Sequence, residues 1–535
     1  MADSRALPLP GRHLALALAT AGVAALAEEV RGSGIRRWRL DRLRSDGFAV
    51  RARDNRPIVA VTPPSGDPWD RPASNRDAAA SLHRFDWLPA MLSGEPEDAT
   101  EALRLTLGWS RVFGGWNAFA WSGEVMARRV FNLACAGPAL AARASDAETA
   151  LIAGGLVRQG FDLLAERGVA GAAERATAAA LAGAVLRGPD AARLLARALA
   201  RLGPALEMAV AADGAHASRR ADLALELLLD LQALDDALTQ QGKAAPEAVQ
   251  RALAALSASV QFATLADGTL MRFHGSRPCS ATLVTAVRAS EDSSGRAPAD
   301  ALGGVHRLAT PGLEVRVDTA PPPTGAWSVA AREHPLALMV LAGGKPFIES
   351  GCGRDLMAGS MLSVADGEPA QRLSGFTARV LGPRLIDAHA DIEVQRHEAP
   401  GAVWLELDYH GWGRRHGVVY QRRLYLDLTA GELRGEDRLT PTPRAQSSGG
   451  RNFTPYALRF VLNPAVRALA SQDGRSVLLR PEGPGGGWVL RNDVLMITLE
   501  SVPGEDRPHR VVVLRGQRRA DSDARVRWKL SPVKA

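Results

Sequence analysis

Apolar residues in the first half of the chain recur with the spacing of an amphipathic helix. Between about residues 85 and 265 they fall at positions i, i+3, i+4 and i+7 in successive segments separated by short breaks. Several segments begin at Asp, Ser or Pro and end at Gly, as helix caps predict. The clearest segments are 98–113, 118–136, 147–168, 172–188, 189–213, 220–242 and 246–267. Such a series predicts a bundle, a solenoid or a closed ring of helical hairpins, and the lack of a fixed-period repeat argues against the solenoid.

The period of the pattern changes to two in the second half. After the polar stretch 275–304, apolar residues alternate with polar ones in strand-length runs separated by Gly, Asp, Asn or Pro. The runs are 313–320, 336–351, 403–411, 417–439, 456–464, 476–501 and 509–516. This alternation predicts a large antiparallel β-sandwich, with its boundary to the helices near residues 280–300.

Chain length fits this division. A chain of 535 residues exceeds the size at which one hydrophobic core keeps growing, so at least two domains are expected. We therefore expect an α+β multidomain protein with a partly helical N-terminal extension (1–80), a helical domain (81–285) and a β-sandwich domain (286–535). The proportions of 46% hydrophobic and 23% charged residues are typical of a soluble protein.

Charge and cysteine usage limit the possible partners. A net charge of +7 favours an anionic partner such as an acidic polysaccharide, although the abundance of Arg and Ala also fits a composition bias. Basic residues do not alternate with aromatic ones in any run, so no nucleic-acid partner is expected. Cys135, Cys279 and Cys352 are too widely spaced for a disulfide framework or a metal site, and His389 and His397 lack a fixed third ligand. We expect no metal and no cofactor, and the oligomeric state stays open.

One segment has the character of a membrane or targeting sequence. The apolar part of residues 13–30, HLALALATAGVAALAEEV, is too short to span a bilayer, so no integral membrane span is expected. The preceding GRH and the small residues AALA fit a poor signal peptide, whereas the Ala-rich run continues as an amphipathic helix. Export and retention both remain possible.

A polar turn stands directly before the long apolar helix 220–242. Its members are Asp213, Gly214, His216, Ser218, Arg219 and Arg220. A histidine in a turn reaches a cleft more readily than one in mid-helix, and near pH 7 His216 could abstract a proton or pair with a carboxylate. The alternative is an ordinary helix boundary, with Ser218 as the cap and the arginines in solvent.

The stretch 115–134 combines aromatic rings with Arg and Asn. A sugar carrying a carboxylate would use a ring for stacking and a guanidinium for bidentate hydrogen bonds. The candidate sugar-binding residues are Trp116, Asn117, Trp121 and Arg128. The alternative is a buried ion pair between Glu124 and Arg128, at i and i+4 of one helix.

Titratable and aromatic groups are densest at 409–425. Tyr409 and His410 lie in or beside a predicted hairpin connection. Alternation along the next strand puts Tyr420 and Arg422 on one face, with Gln421 and its alternating neighbours on the other. A sugar-facing role fits this cluster, although arginines on strands also protect sheet edges.

Six stretches resemble the heparinase II/III-like family in the family's own order. They are 82–92, 115–134, 213–238, 267–276, 319–353 and 418–439. The resemblance implies an incomplete α/α toroid joined to an antiparallel β-sandwich, with any active site in the cleft between them. It also implies a periplasmic or cell-envelope location, or a cytoplasmic one if residues 13–30 are not a signal.

Characterised members of this family are polysaccharide lyases. They remove the proton α to a uronate carboxylate and expel the glycosidic oxygen, which requires a neutralised carboxylate, a base and an acid. The family's usual set is Asn or His plus Tyr from the toroid and His from the sandwich. Here all four tyrosines lie in the β half, and residues 147–203 contain neither Asn nor His. Aligned by eye, Leu302 and Val305 replace a His and a Tyr of the relatives, and Tyr409 and Tyr420 stand where relatives carry histidines.

Two functions follow. The first is β-elimination on an acidic polysaccharide, with His216, Tyr409, His410 and Tyr420 as catalytic candidates. In this first function Arg128, Arg219 and Arg422 would bind substrate carboxylates. The second is a catalytically degenerate protein that binds carbohydrate or associates with cell-envelope polysaccharide. A toroid glycoside hydrolase would need two opposed carboxylates, which no motif nominates.

Overall fold

The fold is given by a computed structural model. It describes residues 43–50, 64, 66–288, 300–351, 358–367, 369–386, 388, 391–443, 445, 453–483, 486–493, 496–504 and 507–533. Residues 13–30, Cys352 and His389, on which three expectations depend, lie outside these ranges.

Helices make up the first part of the described chain. They are α1 (Arg76–Arg84), α2 (Leu88–Leu92), α3 (Pro96–Phe113), α4 (Gly123–Ala141), α5 (Asp146–Leu163), α6 (Ala172–Val185), α7 (Pro189–Ala209), α8 (Ala221–Gln240), α9 (Glu247–Ala263) and α10 (Ala281–Arg288). The helices α3 to α9 are the seven that the apolar period predicts. Their ends follow local signals, since Ser145 and Glu148 form a capping box at α5, and prolines occupy the first turn of α3 and α7. None of the helices in the described ranges is long and apolar enough to cross a bilayer.

Helix α6 is the centre of the helical part. Its residues are almost all buried, and it packs against α4, α5, α7 and α8. Its many alanines allow these neighbours to approach closely. At Gly183 a Cβ atom would lie 2.6 Å from the backbone nitrogen of Leu195 in α7, so no larger residue fits there.

Strands make up the second part. They are β1 (Ala301–Leu302), β2 (Val305–Ala309), β3 (Leu313–Asp318), β4 (Leu338–Ala342), β5 (Lys345–Glu349), β6 (Leu362–Val364), β7 (Gln371–Arg372), β8 (Leu385–Ile386), β9 (Ile392–Ala399), β10 (Ala402–Tyr409), β11 (Val418–Asp427), β12 (Glu432–Pro441), β13 (Phe453–Leu462), β14 (Val466–Ala470), β15 (Ser476–Pro481), β16 (Trp488–Asn492), β17 (Ile497–Val502), β18 (His509–Arg519) and β19 (Ala524–Pro532). Two short helices, α11 (Gly375–Leu381) and α12 (Gly413–His416), interrupt them.

Two antiparallel sheets enclose the second apolar core. The first has the order β1-β2-β3-β4-β5-β13-β18-β17, with β6 beside β13, and the second has the order β14-β15-β16-β19-β12-β11-β10-β9. Large side chains such as Phe347, Phe460 and Trp528 fill the space between them. The predicted order of a helical part followed by antiparallel sheets is confirmed.

Several strands were not predicted, notably β9 and β19. Strand β9 is an edge strand with exposed Glu393 and Glu398, and β19 alternates buried Val526 and Trp528 with basic residues. Strands that expose one face or one edge carry many charges. Their apolar runs are therefore too short to stand out from loops.

The helical part and the sandwich share apolar packing at their boundary. Leu302, Val305, Met339 and Leu341 of the first sheet belong to the same buried cluster as the helices. We expect the two parts to unfold together, because separating them would expose this common core.

Two arginines cross the boundary in opposite directions. Arg316 of β3 donates to the carbonyl oxygens of Phe262 and Thr264 at the end of α9. Arg219, before α8, donates to the carbonyl oxygens of Gly303, Gly304, Ala320 and Pro321 and to the Asp318 carboxylate. On its other side, Asp318 lies 3.1 Å from Nε2 of His274. The boundary is thus held by buried, directional contacts as well as by apolar packing.

Replacing Asp318 by Asn is expected to lower the free energy of unfolding by about 3 kcal/mol, because half-buried Arg219 then lacks its carboxylate. Denaturant unfolding at neutral pH measures the difference. The matched control is Asp523→Asn, which breaks an exposed pair with Arg438 and should cost less than about 1 kcal/mol. Equal losses in the two variants would contradict the role given to Asp318.

The same carboxylate makes the boundary sensitive to acid. Burial alone would raise its pKa, but Arg219 and His274 lower the pKa of Asp318 to about 2. Since the folded pKa lies below the unfolded one, the ionised carboxylate stabilises the protein above about pH 4 by about 2 kcal/mol. This contribution is lost as the pH falls toward 2. The stability difference between wild type and Asp318→Asn should shrink over that interval, and a constant difference would argue against the shift.

Candidate functional site

The polar turn 211–220 lies at the boundary between the helices and the sandwich. His216 is only 1% exposed, and its Nδ1 lies 2.7 Å from the Ser218 hydroxyl oxygen. Its Nε2 lies 3.4 Å from Oε1 of Glu174 in α6. The ring of Trp327, from the segment after β3, meets the imidazole edge-on with 5.4 Å between centroids. His216 therefore lies between the two parts of the fold, where a cleft residue is expected, and its role stays a prediction.

Helix α8 presents three carboxylates on one face beside this histidine. Asp222, Glu226 and Asp230 are spaced at i, i+4 and i+8. Arg128 of α4 donates to Glu226 at 2.9 Å and to Asp230 at 2.7 Å. Arg277, after α9, donates to Asp222 at 3.0 Å and to Glu226 at 3.1 Å. Arg220 also donates to Asp222, at 2.5 Å. These six residues form one continuous set of ion pairs, the cleft network.

Burial and pairing act in opposite directions on these carboxyl groups. Burial raises the pKa of Asp230 to about 7, although Arg128 opposes the shift. Burial would also raise the pKa of Glu226, but Arg128 and Arg277 hold it below its usual range. Near neutral pH the guanidinium charges are therefore balanced by carboxylates of the protein itself.

This balance changes the role expected for Arg128. Both of its terminal nitrogens bind carboxylates, but these are side chains of α8 and not of a sugar. A uronate would have to displace a buried carboxylate, which would then lie unpaired in a poorly solvated site at high cost. The expected Glu124–Arg128 pair is not formed either, because Glu124 pairs with Arg84.

Arg219 does not face the cleft as a free cation. Its guanidinium contacts only backbone carbonyls and Asp318 at the boundary. The prediction that it binds a substrate carboxylate is corrected, since its donors are already used in joining the two parts.

The candidate sugar-binding residues before α4 contact the protein's own backbone and core. Asn117 is buried, and its side-chain oxygen accepts hydrogen bonds from the backbone nitrogens of Phe119 and Ala120. Trp121 is buried and donates from Nε1 to the Phe113 carbonyl at 2.9 Å. Trp116 is half-buried and packs against the helical core. The predicted helix 118–136 therefore begins at Gly123, after a turn that Asn117 caps.

Tyr420 and Arg422 lie inside the sandwich. The Tyr420 hydroxyl donates to Oδ1 of Asp437 at 2.5 Å, and Nε of Arg422 donates to the same oxygen at 2.7 Å. Trp528 donates to the other oxygen of this carboxylate at 2.7 Å. Both residues are 0% exposed. The predictions that Tyr420 acts in catalysis and that Arg422 binds a polymer are therefore corrected, because neither side chain can reach one. Burial raises the pKa of the Tyr420 hydroxyl well above its usual value.

Tyr409 and His410 do not join His216 either. Tyr409 is buried and donates to Oε1 of Glu333 at 3.0 Å, and burial raises its pKa well above the usual value. His410 is exposed beside Glu393 of edge strand β9, with 3.4 Å between Nε2 and the carboxylate. The expected site that unites Tyr409, His410 and Tyr420 with His216 is therefore corrected: of the four candidates, His216 alone lies between the helices and the sandwich.

The carboxylates of α8 were overlooked in the sequence. The signal was present, because three acidic residues at i, i+4 and i+8 interrupt the apolar helix 220–242. Among the residues that the structure describes, no group of three or more His, Cys, Asp or Glu side chains is arranged to hold a metal ion.

Comparison with known sequences identifies a family and a relative that covers most of the chain. A family model described as "Heparinase II/III-like, C-terminal" matches residues 294–529. FtsZ-localized protein C of Caulobacter vibrioides (strain NA1000 / CB15N) is 41% identical over 541 residues, which cover 94% of this chain and 93% of that protein.

Comparison with solved structures gives the same fold. A crystal structure of heparinase III superposes with a TM-score of 0.67 and 13% identity, over 89% of this chain and 80% of that chain. Heparan sulfate lyase HepC from Pedobacter heparinus superposes with a TM-score of 0.53 and 13% identity, over 87% and 78%. At this identity the likeness is one of fold, the incomplete toroid with a β-sandwich.

We expect substitutions of different residues in the cleft network to differ sharply in their effect on the free energy of unfolding. Arg128→Met should lower the free energy of unfolding by about 3 to 5 kcal/mol, because it leaves buried Asp230 without a cation and leaves Glu226 with Arg277 alone. Asp230→Asn should lower the free energy of unfolding at pH 7 by less than Arg128→Met does, because burial raises the pKa of Asp230 to about 7 and a neutral amide then replaces the carboxyl group at less cost. Denaturant unfolding measures both.

Arg423→Met, which breaks an exposed pair with Glu406, is the control and should be nearly neutral. A similar loss in the free energy of unfolding for Arg128→Met and Arg423→Met would mean that the ion pairs of Arg128 in the cleft network do not stabilise the protein.

Proposed function

Because the chain belongs to the heparinase II/III-like family while its cleft arginine is paired internally, we propose that it is a non-catalytic protein that acts by binding at the division site. The relative named for its localisation with FtsZ supports this proposal, since it is 41% identical over 94% of the chain. The single observation that carries the non-catalytic part is the pairing of Arg128 with Glu226 and Asp230.

The requirements of β-elimination explain why this pairing matters. The reaction needs a cation or strong donor for the uronate carboxylate, a base, and an acid for the leaving oxygen. In the described residues, Arg128 and Arg277 both contact carboxylates of α8. The tyrosines predicted as acids, Tyr409 and Tyr420, are buried in the sandwich. The cleft thus keeps one candidate base without its partners.

Lyase activity is the second candidate function. It is favoured by one observation, the position of His216 between Glu174 and Trp327 at the boundary of toroid and sandwich. A non-catalytic protein of this kind could also bind an acidic polysaccharide without cleaving it. It would use the cleft surface while requiring no proton transfer.

A protein that localises with FtsZ must share its compartment. We therefore place the protein in the compartment of FtsZ, instead of the periplasmic or envelope location implied by the family resemblance. This location also favours residues 13–30 as part of the mature protein rather than as an export signal.

Incubation with uronate-containing polymers is expected to yield no unsaturated uronate absorbance, because Arg128 and Arg277 already bind carboxylates of α8 and the tyrosines predicted as acids are buried in the sandwich. A heparinase of the same family serves as the positive control. Product formation by the wild type that His216→Ala abolishes would establish the lyase function instead.

A fluorescent fusion of the full chain, expressed in its own organism, is expected to concentrate at the division site together with FtsZ. Depletion of FtsZ should disperse it. A uniform or envelope-wide signal that does not respond to FtsZ would contradict the proposed localisation.

A further inference from the structure

A small unit is formed by the segment after β3 and the segment between β6 and β9, outside the two large sheets. It consists of residues 325–332, 369–386 and 388, and we call it the side unit. Its framework is the β7–β8 pair, in which Gln371 lies opposite Ile386, together with helix α11. Ser328 ties the two segments together by accepting a hydrogen bond from the Leu385 nitrogen at 3.0 Å.

Several large apolar side chains of the side unit lie on its outside. Its interior consists of Ala331, Ala370, Leu385 and Ala388. The exposed large residues are Val329, Phe376 at 63%, Leu381 at 45% and Ile386. A soluble protein normally buries its largest apolar groups and leaves small ones outside. Several exposed together in so small a unit indicate a surface that another molecule covers.

Helix α11 is too short to be stable by itself. It has seven residues, far fewer than an isolated helix needs in water, and its Gly375, Phe376 and Thr377 are exposed. Packing against a partner would supply the stabilising contacts that the side unit itself does not provide. The helix therefore fits a surface that is completed on binding.

The charges beside these apolar groups indicate the chemistry of the partner. Arg372 donates to the carbonyls of Pro383 and Ala331, and Arg384 donates to the carbonyl of Leu381 at 2.6 Å. Among the described residues, no carboxylate pairs with Arg384. The Arg384 guanidinium, held by a backbone carbonyl beside exposed apolar side chains, complements a carboxylate that flanks an apolar segment.

A protein segment fits this surface better than a lipid bilayer. Residues 369–388 contain three arginines and no lysine by sequence, fewer than the four to eight clustered basic residues typical of segments that bind anionic lipid. A single helix of two turns also offers little apolar area for insertion between headgroups.

We propose that the side unit is the docking surface for a protein segment with apolar side chains beside carboxylates, and that FtsZ supplies it. This inference rests on the proposed association with FtsZ. The side unit also touches the cleft, because Trp327 belongs to it and contacts His216. The partner therefore docks at the rim of the cleft, outside the cleft network.

Co-sedimentation of the full-length protein with polymers of FtsZ from the same organism tests the proposal. Phe376→Asp and Leu381→Asp should each weaken binding at least about tenfold, as removal of a central apolar contact does at interfaces. Leu469→Asp is the matched control, because Leu469 is 63% exposed in β14, at the opposite edge of the second sheet from β9. It should change binding by less than about twofold.

The outcomes separate the two proposals. Unchanged binding of Phe376→Asp overturns the side unit as the docking surface while association with FtsZ stands. No sedimentation of the wild type overturns direct association with FtsZ, and the docking proposal with it. Vesicles of anionic phospholipid form the second arm, and a loss of vesicle binding in Phe376→Asp with FtsZ binding intact assigns the surface to lipid instead. Thermal unfolding should be unchanged in all three variants, because the replaced side chains are exposed.

Discussion

A carboxylate that is removed from water must be paired, and this constraint decides what the cleft of this protein can do. Helix α8 brings Asp222, Glu226 and Asp230 to the boundary of toroid and sandwich, where solvent is scarce. Arg128 and Arg277 satisfy them. The guanidinium groups that could hold a uronate are thus required by the fold itself.

The same rule explains the interior of the sandwich. Arg422 and Asp437 lie opposite each other on β11 and β12, and Tyr420 and Trp528 complete the hydrogen bonds of this carboxylate. A buried arginine is tolerated there because its partner lies in register on the next strand. The heparinase fold is retained. Polar groups that resemble a catalytic set, such as Tyr420 and Arg422, stabilise the interior of its sandwich.

Sequence periodicity predicted most of the helical part because helix boundaries are set locally. Caps such as Ser145 and first-turn prolines such as Pro96 and Pro189 mark α5, α3 and α7 within a few residues. For β11 the alternation correctly separated Tyr420 and Arg422 from Gln421. It could not say which face was interior, because a polar residue inside a sheet depends on a partner such as Asp437 that is distant in sequence. The cleft network was unpredictable for the same reason, since Arg128 and Asp230 lie on helices that pack only in the folded chain.

Binding of a uronate oligosaccharide, compared between the wild type and the double variant Glu226→Gln with Asp230→Asn, tests the central claim most directly. The account predicts that calorimetric titration detects little binding to the wild type and measurable binding to the double variant, in which Arg128 has no anionic partner. Binding to the wild type as tight as to the double variant would contradict the claim that internal carboxylates occupy the cations of the cleft.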